Sequence, residues 1–344
     1  MYQPLATTNG LVESDGILGA IGGTPLVRLS RLYEGCPFRL HAKLEALNPG
    51  GSAKDRPAKR MVEDALQQGV LRPGGVVIES SSGNLGVGLA QVCRYHNLRF
   101  ICVVDEKAQP MNLAIIRAFG GEVQIVNKPP DGDYLAARIR RVCQLLEQTE
   151  NSYWPNQYAN ALNRAAHAET TAREIDDALA GEVDWLFVAT SSTGTLSGCQ
   201  HYFSERHRRT QIVAVDAVGS VLFGGVQGER LFPGMGASRE PPLSRSVSPC
   251  RVVRVSEVDC VRGCRRLAKH EAVLAGASGG GVVEAVAKLA TNLYGEVVVV
   301  LHDSGMRYLD TVYDDHWVEA TLGSHALEES EAAAWSCGTR EAVA

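Results

Sequence analysis

The chain lacks any long hydrophobic run. Nowhere in its 344 residues does an apolar stretch approach the ~18 residues needed to span a bilayer, which argues against a membrane-spanning helix. It also lacks a basic block interleaved with aromatics, and its formal net charge is −5, so nothing electrostatic favours nucleic acid or an anionic membrane surface. The expected partner is a small molecule. Met1 to Thr8 contain no basic region followed by an apolar core, so a cytoplasmic location is expected. The nine cysteines show no paired metal-ligand spacing. Cys260 and Cys264 lie four apart, but no second pair or histidine spacing completes a site, so reduced thiols and no metal are expected. Internal repeats and low-complexity runs are missing as well.

What is present is apolar content of 45%, enough over this length to bury a sizeable core and to favour two domains over one. Short runs rich in β-branched residues, at 75–79, 100–104, 122–126, 185–189, 211–215 and 296–301, alternate with longer amphipathic stretches. That alternation predicts an α/β protein with parallel twisted sheets flanked by helices. Helices are expected at 112–119, 135–147 and 164–179 from apolar spacings of three and four. Residues 321–344 read as a tail, frayed or helical, without a chemical motif.

Residues 48–56 read Asn-Pro-Gly-Gly-Ser-Ala-Lys-Asp-Arg, a turn that hands over to a helix with Ser52 as the expected N-cap. Lys54 then stands near a helix N-terminus, where the macrodipole disfavours the ammonium and favours the free amine of a carbonyl-trapping nucleophile. The bland alternative is a solvated lysine paired with Asp55.

Three further junctions carry small polar residues between a strand or turn and a helix. Glu79-Ser80-Ser81-Ser82-Gly83-Asn84-Leu85-Gly86 offers backbone amides and hydroxyls suited to a carboxylate or phenolate. Thr190-Ser191-Ser192-Thr193-Gly194-Thr195-Leu196-Ser197-Gly198 suits a phosphate in the same way. Ala275-Gly276-Ala277-Ser278-Gly279-Gly280-Gly281 again precedes a helix. Each also reads as an ordinary capping turn or polar loop.

Together with Ile21-Gly22-Gly23-Thr24-Pro25-Leu26-Val27-Arg28-Leu29 and Lys43-Leu44-Glu45, these blocks resemble, in order, those of the cysteine synthase/cystathionine β-synthase family, from about Gly16 to Val318. The resemblance implies a pyridoxal 5'-phosphate cofactor and the two-domain, tryptophan synthase β-like architecture of fold type II. The smaller α/β domain would span 37–160, and the larger, cofactor-binding one 15–36 with 161–320. Lys54 would be the Schiff-base lysine and the general base. Asn84 would contact the pyridoxal ring, and Ser191, Ser192, Thr193, Gly194 and Thr195 the phosphate, with Ser191 and Thr193 replacing two of the family's usual glycines. Ser278 would meet the pyridine nitrogen; a hydroxyl there leaves that nitrogen unprotonated and so favours β-elimination and β-replacement over racemisation or transamination. Ser81, Ser82 and Gly83 would face the substrate carboxylate. Gln157 would line the substrate pocket, and Arg239 could clamp a phosphate or second carboxylate. The segment from His302 to Tyr308 resembles a terminal strand-turn signature and reads as scaffold.

Leu85 departs from the family's usual threonine and resembles the amine-adding subgroup, which joins O-phospho-L-serine to L-glutamate in 2,3-diaminopropionate biosynthesis for siderophores or antibiotics. The alternatives are a cysteine synthase using O-acetylserine and sulfide, and a catalytically silent amino-acid-binding protein. The family also implies a homodimer.

Overall fold

Strands rich in apolar β-branched and aromatic residues are the ones buried on both faces. Residues of β3 (Val76–Ser80) and β7 (Trp185–Ala189) are buried throughout, as expected for parallel strands covered by helices. The computed structural model describes residues 14–129, 132–206 and 209–328. Met1 to Thr8 and most of the expected tail lie outside the described residues.

Two sheets organise the chain. The smaller has four parallel strands in the order β5 (Glu122–Val126), β4 (Arg99–Asp105), β3, β6 (Ser152–Tyr153). The larger has six, in the order β1 (Leu26–Arg28), β2 (Phe38–Leu44), β10 (Gly295–Leu301), β7, β8 (Gln211–Ala217), β9 (Arg251–Val255). Among the strand pairs of the described residues only β1–β2 is antiparallel. All six expected strands are found, and β1, β2, β6 and β9 are added to them. The expected smaller unit began at residue 37, but Phe38–Leu44 pairs with β10 in the larger sheet, where Leu40 and Ala42 enter the core. Conversely Leu18, ahead of that boundary, packs with the smaller sheet's helices.

The helices follow the apolar spacing. After the short α1 (Gly16–Gly19) come α2 (Asp55–Gln67), α3 (Asn84–Tyr95), α4 (Pro110–Ala118) and α5 (Tyr134–Gln148) around the smaller sheet. The expected helix at 164–179 is α6 (Ala161–Ala166) and α7 (Arg173–Ala178) joined through a π-helical turn, His167–Ala172. The larger sheet carries α8 (Gly194–Arg206), α9 (Glu257–Glu271) and α10 (Ala277–Leu289), and α11 (Asp315–Leu322) closes the described chain. Cys260 and Cys264 do lie on a helix, α9, buried and free. There α9 and α10 cross in backbone contact: a Cβ on Gly263 would stand 2.1 Å from the Gly280 carbonyl oxygen, and one on Gly280 would stand 2.0 Å from that of Cys260. No helix among the described residues is long and apolar enough to cross a membrane.

An ion network joins the two halves beside Lys54. Arg56 on α2 donates to both oxygens of Glu45, at 2.7 Å each, and to both of Glu174 on α7, at 2.7 and 2.8 Å. Lys43 on β2 donates to Glu174 at 2.7 Å, and Thr24 donates to Glu45 at 2.7 Å. Burial pulls the Glu174 carboxyl upward, and the hydrogen bonds and charges of Arg56 and Lys43 overcome it, holding the group down at about 2. Its share of stability is therefore full above the ordinary carboxylate range and lost as pH falls toward 2. Removing Arg56 would leave Glu45, fully buried, without its cation. Arg56→Ala should lower the free energy of unfolding by about 3–5 kcal/mol, read from urea denaturation at neutral pH; an unchanged midpoint would show the network to be ornamental.

Candidate active site

The carboxyl ends of β3, β7 and β10 open onto one cleft, the place where open α/β sheets bind ligands. Separated pieces of sequence line it, among them Lys54, residues 80–85, Gln157 with Tyr158, residues 191–195, and Ser278. Thirteen of the fourteen expected site residues thus converge, and the exception is Arg239.

Lys54 stands immediately before α2, at its cap position. Ser52 does not cap that helix as expected; its hydroxyl accepts the Lys54 backbone N–H at 3.2 Å. Nor does Asp55 pair with Lys54. Its carboxylate turns back to accept from the Gly50 N–H, and burial raises it to about 7. The Lys54 amine is lowered to about 8 by burial, against the pull of the Asp303 charge. Desolvation thus leads in weakening its ammonium.

At residues 80–85 the chain leaves β3 and enters α3, whose cap is Gly83. The Ser81 hydroxyl accepts the Gly86 N–H at 3.0 Å, which fixes the turn, while Leu85 is buried and brings no hydroxyl to the cleft. Residues 191–195 lead from β7 into α8. Thr193 holds a left-handed φ of 63°, which a β-branched residue adopts only under strain, and its hydroxyl donates to the Ser192 carbonyl at 2.7 Å. The Thr195 hydroxyl meets His167 Nε2 at 3.2 Å, and His167 Nδ1 meets Thr171 at 3.0 Å. The π-helical turn therefore buttresses the loop from behind. Ser278 is buried in the first turn of α10, whose cap, Gly276, must be glycine: a Cβ there would lie 2.0 Å from Asp303 Oδ1.

Several residues that sequence reasoning passed over also reach the cleft. Asp303, within the segment expected as scaffold, accepts from Asn84 Nδ2 at 2.8 Å and from the Tyr308 hydroxyl at 3.1 Å, while its Oδ1 is buried with no partner among the described residues. Arg307 donates to Asn84 Oδ1, so the Asn84 amide is held at both ends. His302 lines the cleft with neither ring nitrogen in a hydrogen bond among the described residues; burial and the Lys54 charge lower it to about 4, so the ring is neutral. Arg138 on α5 enters as well, donating to the Ser82 hydroxyl at 3.3 Å and lying 3.3 Å from Asp105. Arg239, the arginine expected here, instead sits exposed outside the lining, paired with Asp133 at the start of α5.

The sequence pattern of pyridoxal-phosphate dependent enzymes matches residues 17–303. The chain belongs to that family. Among the relatives of this pyridoxal-phosphate dependent enzyme is N-(2-amino-2-carboxyethyl)-L-glutamate synthase of Ralstonia nicotianae (strain ATCC BAA-1114 / GMI1000). It is 44% identical over 313 residues, covering 90% of this chain and 93% of the relative. Among solved structures, the O-acetylserine dependent cystathionine beta-synthase from Helicobacter pylori superposes with a TM-score of 0.80 at 31% identity, over 86% of this chain and 97% of that one. O-ureido-L-serine synthase does so with a TM-score of 0.80 at 30% identity, over 88% and 98%.

The cleft fits the family's cofactor. It offers a desolvated amine, a helix N-terminus rich in hydroxyls for a phosphate, and a buried hydroxyl on a second helix N-terminus. Because the neutral amine is the nucleophile, protein freed of cofactor should attach pyridoxal phosphate faster as pH rises through about 8, with a plateau above. Borohydride reduction followed by mass spectrometry at each pH checks this, and Lys54→Ala should show no attachment at any pH.

Proposed function

We propose that this enzyme joins O-phospho-L-serine to L-glutamate, releasing phosphate and N-(2-amino-2-carboxyethyl)-L-glutamate. The observation that carries the reading is the 44% identity, over nearly the whole of both chains, to a synthase of that product. The cleft supports it chemically. Both substrates are polyanions, and the lining holds a second cation, Arg138, besides Lys54. Arg138 Nε faces Asp105 at 3.3 Å, while Nη1 lies 3.3 Å from the Ser82 hydroxyl at the cleft, where the guanidinium charge can meet a phosphate or a side-chain carboxylate. Sulfide would need no such partner, and Leu85, standing where the family usually has threonine, separately counts against the sulfide-using alternative.

When bound, pyridoxal phosphate supplies the electron sink that loosens the α-proton of an amino acid and lets a β-substituent leave. In our reading Lys54 carries the cofactor, Asn84 faces its ring hydroxyl, residues 191–195 hold its phosphate and Ser278 meets its ring nitrogen. The amides and hydroxyls of residues 81–83 take the substrate carboxylate, beside the Gln157 side chain. With an amine near 8, Lys54 gains and loses a proton close to neutral pH, which suits it to take the proton at the α-carbon and later return it. His302, neutral, adds no competing charge beside that amine. The same reading makes the enzyme a cytoplasmic homodimer whose product serves 2,3-diaminopropionate supply for a siderophore or antibiotic, as the family resemblance implies. A silent amino-acid-binding protein is disfavoured by the desolvated lysine, which simple binding does not need.

The test is to incubate loaded enzyme with O-phospho-L-serine and L-glutamate, then assay phosphate and the adduct by mass, with O-acetylserine and sulfide in parallel. The adduct should dominate; efficient cysteine formation without it would replace this reading with the sulfide-using one. Loss of hydrogen bonds to a charged group should make Arg138→Ala about 10- to 100-fold poorer in kcat/KM for O-phospho-L-serine. Arg239→Ala should stay within about two-fold of wild type, because that side chain is solvent-exposed and faces Asp133.

A further inference from the structure

We propose that Glu79 is a positioning residue that sets the spacing between the two loops gripping the amino-acid substrate, a role that rests on the active-site reading above. Glu79 is the fourth residue of β3 and is 1% exposed. Its Oε1 accepts the Ser80 N–H at 2.7 Å and the Trp154 indole N–H at 2.9 Å; its Oε2 accepts the Gln157 N–H at 3.3 Å, with the Asn156 N–H also directed to the carboxylate. One arm therefore leads into residues 80–83 and the other into residues 154–157, where Asn156 takes a left-handed φ of 49°. Both segments reach the lining of the cleft.

Among the described residues Glu79 has no ion-pair partner. A buried carboxylate without a cation is costly, and here four N–H groups on two segments converge on it instead. Every neighbour within hydrogen-bond reach is a donor, so the acid form would set an O–H against an N–H and release one arm. Burial raises the group to about 7, opposed by the N–H groups of Trp154, Ser80, Gln157 and Asn156. The titratable groups that face it are Cys102 on β4, Tyr153 on β6 and Tyr158 just after the second segment, all raised chiefly by burial and neutral near pH 7. Arg138 on α5, ion-paired with Asp105 on β4, exerts its field on Cys102 and Tyr158. Since the carboxyl is raised above its ordinary range, folding favours the acid form, and stability from this group is lost as pH rises through about 7. Substrate grip runs the other way, complete above about 7 and weakening below.

Loaded wild-type enzyme and Glu79→Gln are titrated with L-serine, following the cofactor's absorbance, at several pH values between about 6 and 8. The glutamine keeps the shape but turns its amide against an N–H, so L-serine should bind about ten-fold more weakly above pH 7, and its pH profile should keep only the slope set by the serine ammonium and lose the additional wild-type rise near 7. Equal affinity and an equal pH profile would overturn the role of Glu79 while leaving the active site intact. No response of wild type to L-serine would overturn the site reading and this role together. If Glu79→Gln does not fold, the emission of Trp154 in wild type, obtained by subtracting Trp154→Phe, still reports the carboxylate with and without cofactor. It should show a transition near pH 7, and a flat trace from 6 to 8 would overturn the proposal.

Discussion

The cleft depends on one short piece of backbone, the exit of β10 at His302 and Asp303. The His302 carbonyl accepts the Ala53 N–H at 2.8 Å, and the Asp303 carbonyl accepts the Gly276 N–H at 3.1 Å. The Asp303 carboxylate reaches Asn84 in the other half of the molecule. Lys54, Ser278 and Asn84 are thus registered against the same two residues although they lie far apart in sequence. A strand end buried under several helices is among the least mobile places in a protein, which makes it a sound reference point for groups that must meet to fractions of an ångström.

Around this point the protein treats charge in two opposite ways. Beside the cleft, Arg56, Lys43, Glu45 and Glu174 satisfy one another, and Glu174 stays firmly ionised. Inside it, Lys54, His302 and Asp303 are desolvated with few compensating partners, and burial is the leading influence on each. Paired charges hold shape, whereas under-paired ones keep the capacity to exchange a proton or accept a ligand. The division falls within a few residues of one helix: Lys54 and Arg56 are two positions apart, yet one is an ambivalent amine and the other a permanent cation.

Much of this was legible beforehand because glycine and hydroxyl residues at strand-to-helix junctions have a local signature. Lys54 and the segments 81–85, 191–195 and 278 were found that way, and the cleft gathers them. What local patterns do not carry is the direction of a side chain on a helix or the depth of a strand end. Arg138, Arg140 and Arg141 look alike along α5, and only packing turns Arg138 inward. Arg239 lies in a glycine-rich loop but points to Asp133 at the surface. The desolvation that lowers Lys54 likewise belongs to tertiary structure, whereas a local reading sees only its place at a helix N-terminus. The pairing of Phe38–Leu44 within the larger sheet is invisible to local patterns for a related reason: its partner, β10, comes some 250 residues later.

The glycine crossing of α9 and α10 has a mechanical consequence. Where Gly263 meets Gly280, main chain rests on main chain with no side chain between to act as a cushion. Side chains absorb small displacements by changing rotamer, and here there are none to do so. The two helices are geared together, and Ser278, two residues upstream of the mesh, inherits the setting of α9. A shift on the outer flank of that helix would arrive at the floor of the cleft at nearly full amplitude.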